Sequence, residues 1–253
     1  MTVLSTFFHS VFYDPIYNAL VALISLVPGG DVGIAVILMT IAIRIILLPF
    51  SLSAARAGRA MKALEPRIKE LKETHKGDKE RQALETWALY REARVNPFAG
   101  ILTMLAQLPV LLALFWVFNY ESFTAIDQAR LYAFTPIPLH VSMELLGVLS
   151  VAGKSLLLAV LAGATQYLQA RLMLAGTTSG APGMQGDFQR IMNVQLIYVF
   201  PVLIAVISYT TSGAVALYLI TTNLAGALQE WYVRRKFGAG GPATALDAAS
   251  TAV

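Results

Sequence analysis

DVGIAVILMTIAIRIILLPF, residues Asp31 to Phe50, carries a single charge after its first position, Arg44. At about 1.5 Å per residue a run of this length spans the ~30 Å hydrocarbon core of a bilayer, so it reads as a transmembrane helix. A guanidinium inside a spanning helix costs roughly 2.5 to 3.5 kcal/mol on insertion scales, so such a residue normally faces water or protein and marks a function. Phe50 lies about 9 Å of helical rise beyond Arg44, which leaves snorkelling toward the interface as the plain alternative. Thr40, one turn earlier on the same face, offers a hydroxyl that can accept a bond from the guanidinium. Two polar groups on one stripe point to a wetted surface.

The whole chain is apolar to match: 57% of its residues are hydrophobic, 13% are charged, and the mean hydropathy is +0.63. That composition excludes an ordinary soluble domain and identifies a polytopic helical membrane protein. The absence of cysteine excludes disulfides, thiolate metal sites and cysteine nucleophiles. No basic n-region or small-residue cleavage site precedes the first span, so no cleavable signal is expected.

Residues 1–31 read as an external segment. Pro15 and Pro28-Gly29-Gly30 frame about a dozen residues, a length that lies in the interface rather than crossing it. The first span is 32–50. Residues 51–97 then hold eleven Lys/Arg against seven Asp/Glu. Within them Met61, Leu64, Ile68 and Leu71 recur at helical spacing, Lys76-Gly77-Asp78 breaks the pattern, and Leu84, Trp87 and Tyr90 resume it. This predicts a helical hairpin with a narrow apolar seam, against the plainer reading of a solvated linker. Arg56, Arg59, Lys62, Arg67, Lys69 and Lys72 supply its basic contact face. The positive-inside rule makes the hairpin cytoplasmic and puts the N-terminus outside.

The second span is 98–118, with Gln107 and Pro109 in its interior. Residues 119–153 form an external loop, apolar toward its end but broken by His140 and Glu144. The remaining spans are 154–174, 191–208 and 212–232, joined by a Gly/Ser/Thr-rich cytoplasmic loop at 175–190. Arg234-Arg235-Lys236 holds the end of the fifth span inside, and 233–253 reads as a disordered cytoplasmic tail.

Signals of catalysis are weak. His9, His75 and His140 fall in three separate segments, so no metal site or triad is expected, and neither HExxH nor GxSxG occurs. With no phosphate-binding glycine loop either, the chain is read as a non-enzyme without cofactors. What remains is uncharged polarity inside spans: Thr40, Gln107, Gln166, Gln195, Thr222 and Asn223, around one cation. Singly, each reads as an interhelical contact. Together with Arg44, and weighted toward the cytoplasmic halves of the spans, they outline a cavity open to the cytoplasm and closed outside.

The run MKALEPRIKELKETHKGDKERQALETWALYREARVNPFAGILTMLAQLPVLLALFWVF, Met61 to Phe118, closely resembles the cytoplasmic hairpin and following span of the YidC/Oxa1/Alb3 membrane protein insertases. FYDPIYNAL, VGIAVILMTIAIRIILLPFS and SGAVALYLITTNLAGALQEWYVRR also look like that family's pre-span helix, first core span and last span. The resemblance covers about residues 12 to 236 in unbroken element order. It implies an all-α membrane fold: five spans around a cytoplasm-open hydrophilic groove, a cytoplasmic hairpin and an N-terminal interfacial helix. Arg44 would be the groove's central charge, Thr40 its hydroxyl partner, and Tyr218 the first aromatic of the last span's motif. Leu219 stands where the family usually keeps a second aromatic. The large periplasmic domain of some bacterial members and the basic tail of others are missing.

The implied partners are nascent membrane proteins and the inner-membrane bilayer, with the ribosome and the Sec translocon as candidates and no sequence-specific nucleic acid. A polar client segment would enter the groove while its apolar segment slides along the third and fifth spans. A small transporter or anion channel built on Arg44, and a non-catalytic assembly scaffold, are the competing readings. The lack of internal repeats argues against the transporter.

Overall fold

The computed structural model describes residues 3–96, 98–120, 126–174 and 191–237. The loop expected at 175–190, the tail beyond Phe237 and residues 121–125 of the expected external loop lie outside the described residues, as do the side chains of Arg59 and Lys62.

The chain begins with one helical run, α1, over residues 3–26. The short helix expected to start at Pro15 is only its second half. His9–Tyr13 forms a wide π turn in which the N–H of Asp14 donates to the His9 carbonyl, and Pro15 follows at once. A proline has no N–H and its ring crowds the carbonyl of the preceding turn; widening that turn relieves the crowding, so the helix passes through. The same device recurs at Gln195–Val199, where Phe200 donates to the Gln195 carbonyl just ahead of Pro201. The expected dozen residues are thereby corrected: Thr6–Leu26, 21 residues, is long and apolar enough to cross a membrane.

Val27 to Asp31 turn the chain with Gly29 and Gly30 at φ of 73° and 63°. Asp31 caps the next helix, its carboxylate accepting from the N–H of Ile34 at 2.8 Å. That helix, α2, is Val32–Thr74, 43 residues long and so about 65 Å from end to end. The boundary expected at Phe50 does not exist, because α2 runs on through Pro49 and Pro66. The change at Ser51 is one of side-chain solvation, which a backbone of intrahelical bonds does not register.

The second hairpin arm, α3, is Lys79–Glu92. Asp78 caps its start by accepting from the N–H of Arg81 at 2.9 Å. The side-chain amide of Gln82 closes the end of α2, donating to the carbonyls of Lys72 and His75 at 3.3 and 2.7 Å. Glu85 pairs with His75 and Arg81 at 3.0 and 3.2 Å. These bonds fix the rotation of α3 and correct the expected seam. Leu64 is buried and Met61, Ile68 and Leu71 are half-buried, but Leu84 and Trp87 face outward, at 65% and 50% exposure. The half-buried positions of α3 are Gln82, Glu85, Thr86, Leu89 and Tyr90, so of the expected seam residues on this arm Tyr90 alone turns inward.

Four helices follow: α4, Ala99–Tyr120; α5, Leu156–Leu174; α6, Ile191–Thr210; and α7, Gly213–Phe237. Helix α7 packs mainly between α2 and α5, with α4 against α2 and touching α7, α6 against α5 and touching α7, and α1 against α2 and α4. Ala214 to Leu219 of α7 are all buried, so the start of this helix is enclosed on every side. α5 and α6 come close at Gly163, where a Cβ would stand 3.0 Å from Ala205 Cβ and 3.1 Å from the Pro201 carbonyl oxygen. Val32–Gly58, Leu156–Leu174 and Ile191–Thr210 are, like Thr6–Leu26, long and apolar enough to cross a membrane.

Residues 126–155 make no long helix. They carry a small antiparallel ribbon, β1 at Glu144–Leu145 and β2 at Leu149–Ser150, with Leu145 opposite Leu149. This segment is stitched to the bundle's end. Ser142 exchanges backbone bonds with Gly30 and Val32, and Gly213 and Ala214 donate to the carbonyls of Gly153 and Val151. Buried Asn18 adds three more: its amide donates to the carbonyl of Arg130, and also to that of Asp14 in its own helix, and its oxygen accepts from Tyr132 N–H and the Thr135 hydroxyl. Backbone that leaves regular structure is thus paired rather than left bare.

Candidate functional site

The polar positions of α2 and α7 form facing stripes. Thr40, Arg44 and Ser51 follow each other at four and seven residues on α2; Tyr218, Thr222, Gly226 and Gln229 follow at four, four and three on α7. Both spacings return to one helix face. The stripes meet at two described bonds. Arg44 Nη2 donates to the carbonyl oxygen of Thr222 at 2.7 Å, and the Ser51 hydroxyl donates to Gln229 Oε1 at 3.0 Å.

Arg44 is half-buried, and among the described residues no carboxylate pairs with it. Tyr218 interacts with it electrostatically, and the Tyr218 hydroxyl hydrogen-bonds with the side chains of Gln107 on α4 and Thr222. Gln169 of α5 completes the ring. A Cβ placed on Gly226 would stand 2.3 Å from Gln169 Nε2 and 3.4 Å from Arg44 Nη2, so the missing side chain at 226 is the space both groups occupy. The cation is therefore solvated by a helix carbonyl and neutral dipoles, and keeps donors free for a further acceptor.

Six of the expected residues belong to this arrangement or adjoin it. Arg44, Gln107, Tyr218 and Thr222 come together as described. Thr40 is buried one turn away, but its hydroxyl donates to the Val36 carbonyl at 2.7 Å and the guanidinium turns to Thr222 instead. Asn223 is buried and faces α5, its amide 3.4 Å from both the Ala162 carbonyl and the Thr165 hydroxyl, which makes it an interhelical tie. Gln166 is half-buried one turn before Gln169, and Gln195 is exposed on the wide turn of α6; among the described residues neither is bonded to the cluster. Of the hairpin residues, Arg56, Arg67 and Lys69 are exposed and Lys72 half-buried, all on the cytoplasm-read half of α2 and apart from the ring around Arg44.

Gln169, Gly226, Ser51 and Gln229 were not among the expected site residues. Gly226 left a readable trace, since a glycine interior to a spanning helix marks close approach. The Thr222 carbonyl left none, because a backbone acceptor has no residue signature. At the rim of the cluster Arg234 donates to Glu230 Oε1 at 3.0 Å and to the carbonyl of Leu172, closing the end of α5 onto α7. No group of three or more His, Asp or Glu among the described residues could hold a metal ion.

A family model described as 60Kd inner membrane protein matches residues 23–239. The chain is 34% identical over 209 residues to a protein named membrane protein insertase YidC from Fusobacterium nucleatum, covering 82% of this chain and 88% of that one. It is 31% identical over 210 residues to proteins of the same name from Francisella tularensis subspecies novicida and tularensis; there the match covers 83% of this chain and 34% of theirs.

Proposed function

This chain belongs to the 60Kd inner membrane protein family, the YidC/Oxa1 family, and from that premise we propose that it is a membrane protein insertase working through the polar cluster at Arg44. Its family and its several apolar helices make it a multi-pass inner-membrane protein. On our reading α1, although long enough to cross, keeps the interfacial role expected of residues 1–31; α2, α4, α5, α6 and α7 are the five spans, the hairpin is cytoplasmic, and the cluster is the floor of a groove reached from that side.

The observation that carries the reading is the state of Arg44: half-buried, without a carboxylate partner among the described residues, and held by the Thr222 carbonyl. A polar stretch of a nascent membrane protein crosses less hydrocarbon if water reaches this depth. An acidic group in it gains Coulomb energy from a cation at reduced dielectric. The client's apolar segment then leaves along the lipid-facing surfaces of α5 and α7, where Leu157, Leu161, Leu168, Leu224 and Leu228 are exposed. Burial of about 20 apolar residues in lipid is downhill, so no fuel and no bond-making step is needed. Tyr218, buried at 3% exposure, orients the cluster rather than meeting the client. The neighbouring Leu219 is equally enclosed, so an aromatic is not needed there for contact.

Insertion of a matched client series in proteoliposomes tests this. Arg44→Ala is expected to reduce insertion most, by about tenfold or more (~1.4 kcal/mol), for clients with acidic translocated segments, and Arg44→Lys less. Equal activity of Arg44→Ala on acidic and neutral clients contradicts a charge-based groove.

A further inference from the structure

The turn between β1 and β2 is built against the usual rules for an aqueous hairpin. Its two central residues, Leu146 and Gly147, lie at φ of 55° and 68°, the left-handed region in which hairpins normally place Asn-Gly or Asp-Gly. Here a leucine occupies the first position at 71% exposure, and Val148 follows at 88%. In water the sequence would be poor twice over, strained in backbone and bare in side chain.

Two of the three amides of the same turn, those of Leu146 and Val148, have partners. Leu146 N–H donates to Asp31 Oδ2 at 2.6 Å, and Val148 N–H donates to the Leu145 carbonyl at 3.1 Å. Apolar side chains outside and paired amides inside are what a loop needs to enter hydrocarbon, where an unpaired N–H costs several kcal/mol. The depth also fits. Leu145 packs on Gly33, where a Cβ would come within 2.7 Å of Leu145 Cβ, so the ribbon lies beside the first turn of α2, whose apolar run starts at Val32. The belt continues into α5, where Leu156 and Leu157 are 67% and 58% exposed. The start of the segment is polar, with Asp127 and Arg130 exposed and paired at 3.3 Å.

We propose that Leu146–Val148 is a lipid-dipping tip, inserted among the acyl chains of the leaflet at the Val32 end of α2. It anchors that end of α2 in depth through Asp31, which caps α2 with one carboxylate oxygen and holds the tip with the other. The proposal rests on α2 crossing the bilayer and is independent of what the Arg44 cluster does.

The natural absence of cysteine makes the test clean. Val148→Cys and, as the polar reference, Gln128→Cys each take one nitroxide, and the full chain is placed in vesicles of phosphatidylethanolamine and phosphatidylglycerol. The label at 148 is expected to collide several-fold more with oxygen than with a water-soluble nickel chelate, and the label at 128 to show the reverse. A label at 148 as open to the chelate as that at 128 puts the tip in water and overturns the proposal. A label at 148 shielded from both reagents puts it against protein and overturns it equally.

Discussion

At the scale of single residues the account turns on how one cation is housed. Arg44 is neither neutralised by a carboxylate among the described residues nor turned to lipid; it borrows a second lone pair of the Thr222 carbonyl and the space left by Gly226. Gly226→Ala therefore has two separable effects. Alanine is favoured over glycine inside a helix by up to about 1 kcal/mol, but the new Cβ meets the amide end of Gln169. The single variant is expected to lose insertion activity with a stability change under ~1 kcal/mol, because a flexible amide can move aside. Gly226→Ala with Gln169→Ala should melt higher than the parent in thermal unfolding in detergent; a double variant that melts lower would place the constraint in the backbone instead. Asp31 is the other two-handed residue. Asp31→Ala removes the cap of α2 and strands the Leu146 amide, an expected cost of about 2 to 4 kcal/mol, while Asp31→Asn keeps at least the cap and costs less than half as much. Denaturant unfolding of the two variants side by side reads the difference.

At the scale of elements, periodicity located the helices but not their rotations or ends. The apolar runs at 154–174 and 191–208 were legible because length and composition leave a bilayer helix no alternative, and they match α5 and α6 within two residues. Two expected helix ends moved. Pro15 reads as a helix start and the charged stretch after Phe50 as a helix end, yet a π turn absorbs the first and α2 runs through the second, since neither a widened turn nor a change of side-chain solvation breaks the backbone bonds of a helix. The hairpin seam departs only on the second arm, where Leu84 and Trp87 face outward: spacing of three and four identifies a face, and bonds from Gln82 and Glu85 decide how that face is turned. Leu64→Ala should accordingly destabilise the hairpin by about 2 kcal/mol or more, while Leu84→Ala on the outer face should shift it by under ~0.5 kcal/mol. Amide hydrogen exchange over residues 61–92 measures both. Equal losses would restore the seam read from spacing.

At the scale of the whole molecule the two ends of the bundle differ. Around residues 126–155 the chain is cross-tied by backbone bonds to α7 and to the start of α2, and by the Asn18 and Tyr17 side chains of α1, whereas at the level of Arg44 the described bonds between helices involve the side chains of Gln, Thr, Ser and Arg. The lone arginine, the weighting of polar residues toward one half of the spans and the family resemblance all point to a one-sided cavity, which is the proposal tested below. The stitching at the other end rests on backbone groups and on Asn18, which looked like an ordinary helix residue. The claim that water reaches Arg44 from one side has a direct test in the cysteine-free chain. Gln169→Cys beside the guanidinium is exposed to a membrane-impermeant, sulfonated thiol reagent, once in inverted vesicles and once in intact spheroplasts. The account predicts rapid modification from the cytoplasmic face and protection from the outer one. Modification from the outer face, or none from either, contradicts it.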